Sequence, residues 1–231
     1  MNPRVSRQKT AALTLVEVLV IVFVLAVLAA IILPAIPHKY DERKYSQCVN
    51  NLKQVGLAFR IWEGDNNDKY PMQVSVTNGG TMELVATGNV VATFQVMSNE
   101  LSTPKVVVCP QDLSRNYAAN FTTDFNNSRI SYFIGVDAND NFPQSVLSGD
   151  ANFEIGGIPT KYGLLELSTN LNVAWTSARH FVGGSQFWKP TWHKSFGNFV
   201  FADGSVWSMD DKLLVQKLIE TGLATNRLAI P

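Results

Sequence analysis

The chain has 231 residues, and its 19 basic and 19 acidic residues give a formal net charge of zero, so there is no surplus of cations to neutralise phosphates. This balance argues against a nucleic-acid-binding protein, and a hydrophobic content of 46% argues against intrinsic disorder. Two cysteines cannot form a four-cysteine zinc site. The charge is distributed unevenly, because residues 1–12 contain three basic residues and no acid.

A long apolar stretch follows these basic residues. It reads AALTLVEVLVIVFVLAVLAAIILPAI from Ala11 to Ile36, and Glu17 is its only charged residue. The part from Val18 to Ile36 has 19 residues, close to the length of about 20 that crosses a hydrocarbon core of about 30 Å as a helix. Because the basic residues precede it, we predict a cytoplasmic N-terminus and an exported remainder.

Different kinds of segment share parts of this pattern. A cleaved signal peptide has the basic start, but its apolar core is shorter and carries no acid. A plain membrane anchor has the right length but leaves Glu17 unexplained, since a carboxylate costs about 2.5 kcal/mol or more near the centre of a bilayer. Thr14 and Glu17 also have the spacing of a capping box, which would give the carboxylate a local role.

Ala12 followed by Leu13-Thr14-Leu15-Val16-Glu17 resembles the N-terminus of type IV prepilins and type II secretion pseudopilins. That family has a short basic leader, a small residue, a cleavage point, then an aromatic or apolar residue, Thr-Leu-apolar-Glu and a long apolar helix. Ala12 stands where glycine is usual, and Leu13 where phenylalanine is usual. Pro34 falls at the twenty-second mature position, where many members also carry proline.

The resemblance implies specific processing and assembly. A membrane aspartic peptidase, the prepilin peptidase, would cleave between Ala12 and Leu13 and methylate the new N-terminus at Leu13. Glu17 would pair with the N-terminal amine of a neighbouring subunit during filament assembly. Residues 1–12 would then be the leader, 13–64 the transmembrane and stalk helix, and 65–231 an exported globular head.

The helical pattern continues beyond the apolar stretch, with apolar residues at steps of three and four. These are Leu52, Val55, Phe59 and Trp62. We therefore predict a helix over 13–64 that is about 75 Å long, is kinked at Pro34, and packs the apolar stripe of its distal half on the head.

The head, residues 65–231, has the pattern of an α+β fold with a small antiparallel sheet, so the expected fold class is pilin-like α+β. Helices are predicted at Asn89–Leu101 and Lys212–Thr221, the second capped by Asp210. Strands are predicted at Lys105–Cys109, Arg129–Val136, Tyr162–Leu167 and Leu171–Thr176. The stretches Asn116–Ser128 and Asp137–Asn152 are predicted to be loops.

Near the end of the chain, Asp203-Gly204 lies between apolar runs and predicts a two-residue hairpin with both residues at positive φ. His193 precedes Asp203 with nine residues between them. This motif, together with the segment Cys48–Phe59, resembles a large bacterial group of prepilin-like proteins. A catalytic role lacks a nucleophile motif, and a zinc site lacks further ligands, so hydrogen bonding at the hairpin base is the favoured interpretation.

Two oxygen-rich stretches and the two cysteines complete the candidates. Asp65–Asp68 and Asp137–Asn141 contain oxygen ligands for Ca²⁺, which major pseudopilins bind, but neither has the glycine or terminal acid of an EF-hand loop. We therefore expect solvated turns and no cofactor. Cys48 and Cys109 both lie on the predicted exported side, where a disulfide can form, and two buried free thiols are the alternative.

These patterns together predict a structural subunit without enzymatic activity. It would enter the inner membrane once, expose its head to the periplasm, and assemble through its helix with other pilin-like subunits into a type II secretion-type pseudopilus or a pilus-like filament. The alternative is a membrane-tethered binding protein whose aromatic-rich segment, residues 181–207, recognises carbohydrate or another ligand. An anchored hydrolase that uses His193 and Asp203 is a third interpretation.

Overall fold

The computed structural model describes residues 15–32, 36–168, 173–175 and 196–231. The chain divides into two units, Met1–Glu42 and Arg43–Pro231. The described residues contain helices together with antiparallel sheets of six and three strands. The predicted α+β class is therefore confirmed.

In the first unit, helix α1 spans Leu15–Ile32. Its side chains from Leu15 to Ile31 are all exposed, and all except Glu17 are apolar. Among the residues that the structure describes, no helix is both long enough and apolar enough to cross a membrane. The predicted span from Val18 to Ile36 includes residues 33–35, and these, with the predicted kink at Pro34, lie outside the described residues.

Helix α2 spans Ile36–Asp65, and from Arg43 onward it belongs to the second unit. There it is amphipathic, and the predicted stripe is buried against the head (Leu52, Val55, Phe59 and Trp62). Gly56 lies on the same side, where an added Cβ would come within 2.7 Å of the Val200 side chain. The helix thus packs on the sheet at close range, as the periodicity predicted.

The second unit also contains four shorter helices, α3 (Met82–Val85), α4 (Val90–Val96), α5 (Ser98–Leu101) and α6 (Asp211–Glu220). The Asn89 side chain caps α4 by accepting a hydrogen bond from the Ala92 amide at 3.3 Å. Asp210 caps α6 in the same way through the Leu213 amide at 2.9 Å. The predicted last helix and its cap are therefore confirmed, whereas the predicted helix Asn89–Leu101 is divided in two at Met97.

Within the part of the chain that the structure describes, nine strands make up the two sheets. They are β1 (Tyr132–Gly135), β2 (Val146–Asp150), β3 (Phe153–Ile155), β4 (Ile158–Pro159), β5 (Gly163–Ser168), β6 (Val173–Trp175), β7 (Gly197–Phe201), β8 (Val206–Met209) and β9 (Thr225–Ile230). The larger sheet has the order β5-β9-β1-β2-β7-β8, and the smaller has the order β4-β3-β6. All the pairings are antiparallel.

The central strands of the larger sheet are buried on both faces. Successive residues of a strand point to opposite sides, so Ile134 joins the core shared with helix α2, whereas Phe133 joins a second core. This second core contains the rings of Phe153 and Trp175 from the smaller sheet and Leu214 from helix α6. Layers on both faces explain why β1, β2 and β7 are buried at every position.

Predicted strands at Arg129–Val136, Tyr162–Leu167 and Leu171–Thr176 correspond to β1, β5 and β6. The strand predicted at Lys105–Cys109 is wrong, because Pro104–Val107 forms a 3₁₀ helix. Pro104 occupies its first turn, and the Thr103 side chain accepts a hydrogen bond from the Lys105 amide at 3.4 Å. A short buried apolar run has the same composition in either conformation, so its periodicity could not distinguish them.

Four strands were not predicted, namely β2, β3, β4 and β9. Asp137–Asn152 was predicted to be a loop, but β2 lies within it and pairs with β1 and β7. Its residues Ser148, Gly149 and Asp150 interrupt the apolar pattern that marks a buried strand. Strand β9 was not predicted either, although it pairs with both β5 and β1. Turn residues flank both segments, but the strands themselves lack the apolar alternation that identifies a strand locally.

Candidate functional site

The predicted site residues divide into those that the structure describes and those that lie outside it. Ala12, Leu13, Pro34 and His193 lie outside the described residues. Glu17 is exposed in the first turn of helix α1, where the helix dipole favours a carboxylate. Thr14, the proposed partner of Glu17 in a capping box, also lies outside the described residues.

Helix α1 offers an apolar surface in every direction. Exposed fractions range from 44% at Val27 to 80% at Leu15 among its large apolar side chains. A helix with one water-facing side carries polar residues there, but α1 has no such side. Contact of this surface with water is unfavourable on every side, so the helix would be more stable in apolar surroundings.

A disulfide fastens helix α2 to the head. It joins Cys48 of α2 to Cys109, 61 residues further along, with the two Cα atoms 4.8 Å apart. Both cysteines are fully buried. Beside the bond, the Asn51 side chain donates to the Val108 carbonyl at 3.0 Å, and the Tyr132 hydroxyl donates to the Cys48 carbonyl at 3.4 Å. Of the two alternatives for the cysteines, the structure contains the disulfide.

A chain of polar groups connects helix α2 to a fully buried carboxyl in the sheet. Asp150 accepts hydrogen bonds from the backbone and side-chain amides of Asn198, both at 2.8 Å. The side-chain oxygen of Asn198, Oδ1, in turn accepts hydrogen bonds from the Ser208 hydroxyl at 2.6 Å and from the Tyr45 hydroxyl of α2 at 3.3 Å. Burial raises the pKa of Asp150 to about 7, and the charge of Asp112 acts in the same direction.

A second polar cluster lies where helix α2 ends. Arg60 pairs with Asp140 at 3.3 Å, and Glu63 is buried beside them. Burial, followed by the negative charge of Asp140, raises the pKa of Glu63. Tyr70 donates to the Ala202 carbonyl at 3.1 Å, and burial raises its pKa as well. These bonds link the helix end to the loop after β1 and to the β7–β8 turn.

In the oxygen-rich stretch Asp137–Asn141, the carboxylates are paired with arginines of the same chain. Asp140 pairs with Arg60, and Asp137 accepts from the guanidinium of Arg227 at 3.0 and 3.1 Å. Across the described residues, no group of three His, Cys, Asp or Glu is arranged to hold a metal ion. In Asp137–Asn141 the two arginines would compete with a calcium ion for the same carboxylate oxygens.

The turn at Asp203-Gly204 differs from the predicted two-residue hairpin. Gly204 donates to the Phe201 carbonyl at 2.9 Å and Phe201 donates to the Ser205 carbonyl at 3.0 Å, so three residues form the loop. Only Gly204 has a positive φ, of 82°. The cause is tertiary, because the amides of Ala202 and Asp203 donate to the carbonyls of Ser145 and Pro143. Asp203 itself is exposed and accepts from the Ser205 amide at 2.8 Å.

Replacing Gly204 with alanine should lower the free energy of unfolding by about 1 kcal/mol, because a Cβ is disfavoured at this left-handed position. The nearest atom to such a Cβ is the Arg60 Nε at 3.6 Å, so there is no steric clash to add. Denaturant unfolding of the full chain in detergent micelles measures the change. Gly204→Asn is the matched control and should cost less, since asparagine tolerates this conformation. Equal losses in both variants would contradict the role assigned to the backbone.

The aromatic segment divides between core and surface. Phe199 and Phe201 are buried in the second core, whereas Trp207 is 45% exposed and lies under the Lys217 ammonium, 4.4 Å from the ring centroid. Phe196 is half-buried and lies edge-on to the ring of Tyr45, with the ring centroids 5.4 Å apart. The other four aromatic side chains of the segment lie outside the described residues (Phe181, Phe187, Trp188 and Trp192). The described part therefore provides one exposed ring of that platform.

Comparison of the chain with models of protein families, with curated proteins and with solved structures found no match.

Proposed function

We propose that the chain is a prepilin-like structural subunit whose N-terminal helix assembles into a type II secretion-type pseudopilus or a pilus-like filament. The observation that carries the proposal is helix α1, which is apolar on every side, exposed along its length, and charged only at Glu17. Such a helix is stable only where lipid or other apolar helices surround it. Before assembly the lipid of the inner membrane would supply those surroundings, and afterwards the helices of neighbouring subunits would do so.

Glu17 gives this helix a specific way to assemble. A carboxylate enclosed by apolar helices must be neutralised, because an unpaired buried charge is strongly unfavourable. Cleavage before Leu13 by the prepilin peptidase creates an α-amine, and in a staggered array the amine of one subunit can reach Glu17 of the next. Pairing of the two charges would set the axial register of the filament.

The attachment of helix α2 to the head supports the same role. A filament subunit must keep its head fixed to the helix through which it assembles. Here a buried apolar stripe, a disulfide at Cys48 and hydrogen bonds from Tyr45 and Asn51 all join α2 to the rest of the second unit. The disulfide also supports export of the head to the periplasm, where oxidation is favoured.

The processing step gives the first test. Protein isolated from its native membrane should lack residues 1–12 and should carry one methyl group on Leu13. Intact-mass measurement and N-terminal sequencing detect both changes. An N-terminus still at Met1, or cleavage within residues 30–36, would contradict the proposal, because the first excludes processing and the second indicates a signal peptide.

Replacing Glu17 with alanine should lower incorporation into filaments by more than about tenfold, because the N-terminal amine of the adjacent subunit loses its partner. Leader removal should continue, since the cleavage point lies outside the altered turn. Quantitative blotting of sheared filaments and of membranes measures the two effects separately. Glu17→Asp keeps the charge, and Val18→Ala alters the same helix without touching it, so both controls should assemble better than Glu17→Ala. Normal assembly of Glu17→Ala would refute the pairing role.

A further inference from the structure

A groove on the head lies beside Tyr162. One part has a volume of about 590 Å³ and is lined by Gly88, Asn89, Asn126 and Tyr162, among others. An adjoining part of about 410 Å³ is lined by Arg115 and shares Asn127, Ser128 and Tyr162 with the first. Each part lies within the range of about 300 to 1,000 Å³ that is usual for small-molecule sites.

The lining of the groove is mainly apolar surface, and its polar groups are almost all uncharged. Asn89, Asn126, Asn127 and Ser128 provide amides and hydroxyls, which both donate and accept hydrogen bonds. The one charged side chain is Arg115, which is already paired with Asp112 at 3.1 Å. An anionic ligand would need unpaired cations and a cationic ligand would need unpaired carboxylates, and the side chains of this lining offer neither. The groove therefore suits a neutral ligand with many hydroxyl groups.

Tyr162 provides an apolar surface at the centre of the groove. Its side chain is 80% exposed although it lines both parts. A ring left in water at this position contributes little to folding, but it can pack against an apolar face of a ligand. Sugar rings have such a face, formed by their C–H groups, together with hydroxyls around the rim. An exposed ring among neutral amides matches both parts of a sugar.

One polar atom in the groove wall has no partner. The Asn127 Oδ1 atom is buried and accepts no hydrogen bond from the described residues. The backbone of the same residue is held in place, because its carbonyl accepts from the Arg115 guanidinium. A buried acceptor without a donor is unfavourable. This oxygen has no surface open to the groove, but the half-buried Asn127 side chain lines the groove, and its amide nitrogen can donate to a ligand hydroxyl there.

The first part of the groove is built from three segments that already fit together. Gly88 and Gly163 both have positive φ, and a Cβ on Gly88 would clash with the Gly163 backbone. The neighbouring loop is held by its own side chains, since Asn126 accepts from the Ser128 amide at 3.0 Å and Asp124 accepts from the Ala119 amide at 3.0 and 3.1 Å. Binding would therefore require little ordering of the protein.

We propose that this groove is a binding site for a neutral oligosaccharide chain, with Tyr162 as the stacking surface and Asn127 as a hydrogen-bonding partner. The site is separate from the assembly function, because its residues belong to the head and Glu17 takes no part in it. It also differs from the aromatic segment 181–207, which suggested carbohydrate binding from the sequence.

The test uses the full chain in a detergent without a sugar headgroup. Isothermal titration with neutral tetrasaccharides of β1,4-glucose, α1,4-glucose, mannose and N-acetylglucosamine should reveal at least one that binds saturably. An anionic tetragalacturonate should bind at least about tenfold more weakly than that sugar. Cosedimentation with cellulose or chitin then distinguishes a polymer from a free oligosaccharide as the natural form.

Three variants assign the binding to the groove. Tyr162→Ala should weaken binding by about tenfold or more, whereas Tyr162→Phe keeps the ring and should stay within about threefold. Asn127→Ala should also weaken binding, because the ligand loses a hydrogen-bonding partner. The same change should leave the unfolding midpoint unchanged, because the oxygen that it removes has no hydrogen bond in the folded protein. Phe142→Ala is the matched control, since this ring is 62% exposed but does not line the groove.

Failure of all four neutral sugars to bind would overturn the proposal. Equal binding by the wild type and Tyr162→Ala would also overturn it, as would tighter binding of the anionic sugar. These results leave filament assembly untouched, so they can be distinguished from a failure of the proposed function.

Discussion

Opening the disulfide between Cys48 and Cys109 should lower the free energy of unfolding of the second unit by about 4 kcal/mol. The bond joins residues that are 61 positions apart in the sequence. In the chain-entropy account, closing a loop of this length lowers the conformational entropy of the unfolded chain, which is equivalent to about 4 kcal/mol of stability. The loss is large compared with the about 5 to 15 kcal/mol that stabilises an ordinary domain. Helix α2 should detach from the head at a lower denaturant concentration.

The measurement is denaturant unfolding of the full chain in micelles, followed through the buried Trp62 and Trp175, with and without reductant. The matched control is Cys48→Ala combined with Cys109→Ala, which should unfold early in both conditions because reductant has nothing to cleave. Thiol labelling establishes that the wild-type bond has opened. A labelled wild type that unfolds at the same denaturant concentration as the oxidised protein would contradict the prediction.

Raising the pH from 5 to 8 should lower the free energy of unfolding through Asp150 by about 3 kcal/mol. Burial raises the pKa of this carboxyl to about 7 in the folded protein, whereas its pKa in the unfolded chain is about 3.9. Between these values the folded protein binds the proton and the unfolded chain does not. Stability is therefore highest below the unfolded pKa and falls as the pH rises to the folded pKa, by about 1.4 kcal/mol per pH unit.

Asp150→Asn should remove this part of the pH dependence, because an amide keeps a carbonyl oxygen for the Asn198 donors and cannot ionise. Denaturant unfolding of wild type and variant at a series of pH values gives the difference that belongs to Asp150. Glu63, whose pKa is also raised, titrates in both proteins and cancels in the comparison. A variant that loses as much stability as the wild type between pH 5 and 8 would contradict the assignment.

The buried carboxyl also affects how helix α2 is held. Asn198 connects Asp150 to helix α2, because its backbone and side-chain amides donate to the carboxyl and its Oδ1 atom accepts from Tyr45 and Ser208. Ionisation of Asp150 changes the charge that the Asn198 amides face, and it would act on the helix through this one residue. The disulfide at Cys48 lies close by in the helix sequence and would keep the two parts together while this network changes.

Local signals in the sequence predicted several elements correctly. The stripe from Leu52 to Trp62 predicted which face of helix α2 is buried, and Asp210 predicted the start of helix α6. These features depend on neighbours within one or two turns, so periodicity and capping residues are sufficient. The prediction failed at β2 and β9, whose own residues lack the apolar pattern of a strand and which the fold pairs with a neighbour on each side.

The candidate sites follow the same division. The resemblance at Ala12 to Glu17 and the apolar stretch are readable because they lie in one continuous segment. The groove was not predicted, since Gly88, Asn127 and Tyr162 come from separate segments that only the fold brings together. Asp150 carried no signal either, because a carboxyl acquires a raised pKa only after burial removes its water.

By itself, then, the sequence determined an uninterrupted apolar helix with one carboxylate, an amphipathic helix after it, and an α+β head with two cysteines on one side of the apolar stretch. Tertiary structure alone decided that the cysteines are bonded, that the Asp203-Gly204 turn is a three-residue loop, and that a groove forms around Tyr162. The physical reason is that local conformation depends on adjacent residues. Bond partners, burial and clefts depend instead on residues that meet only after the sheet has formed.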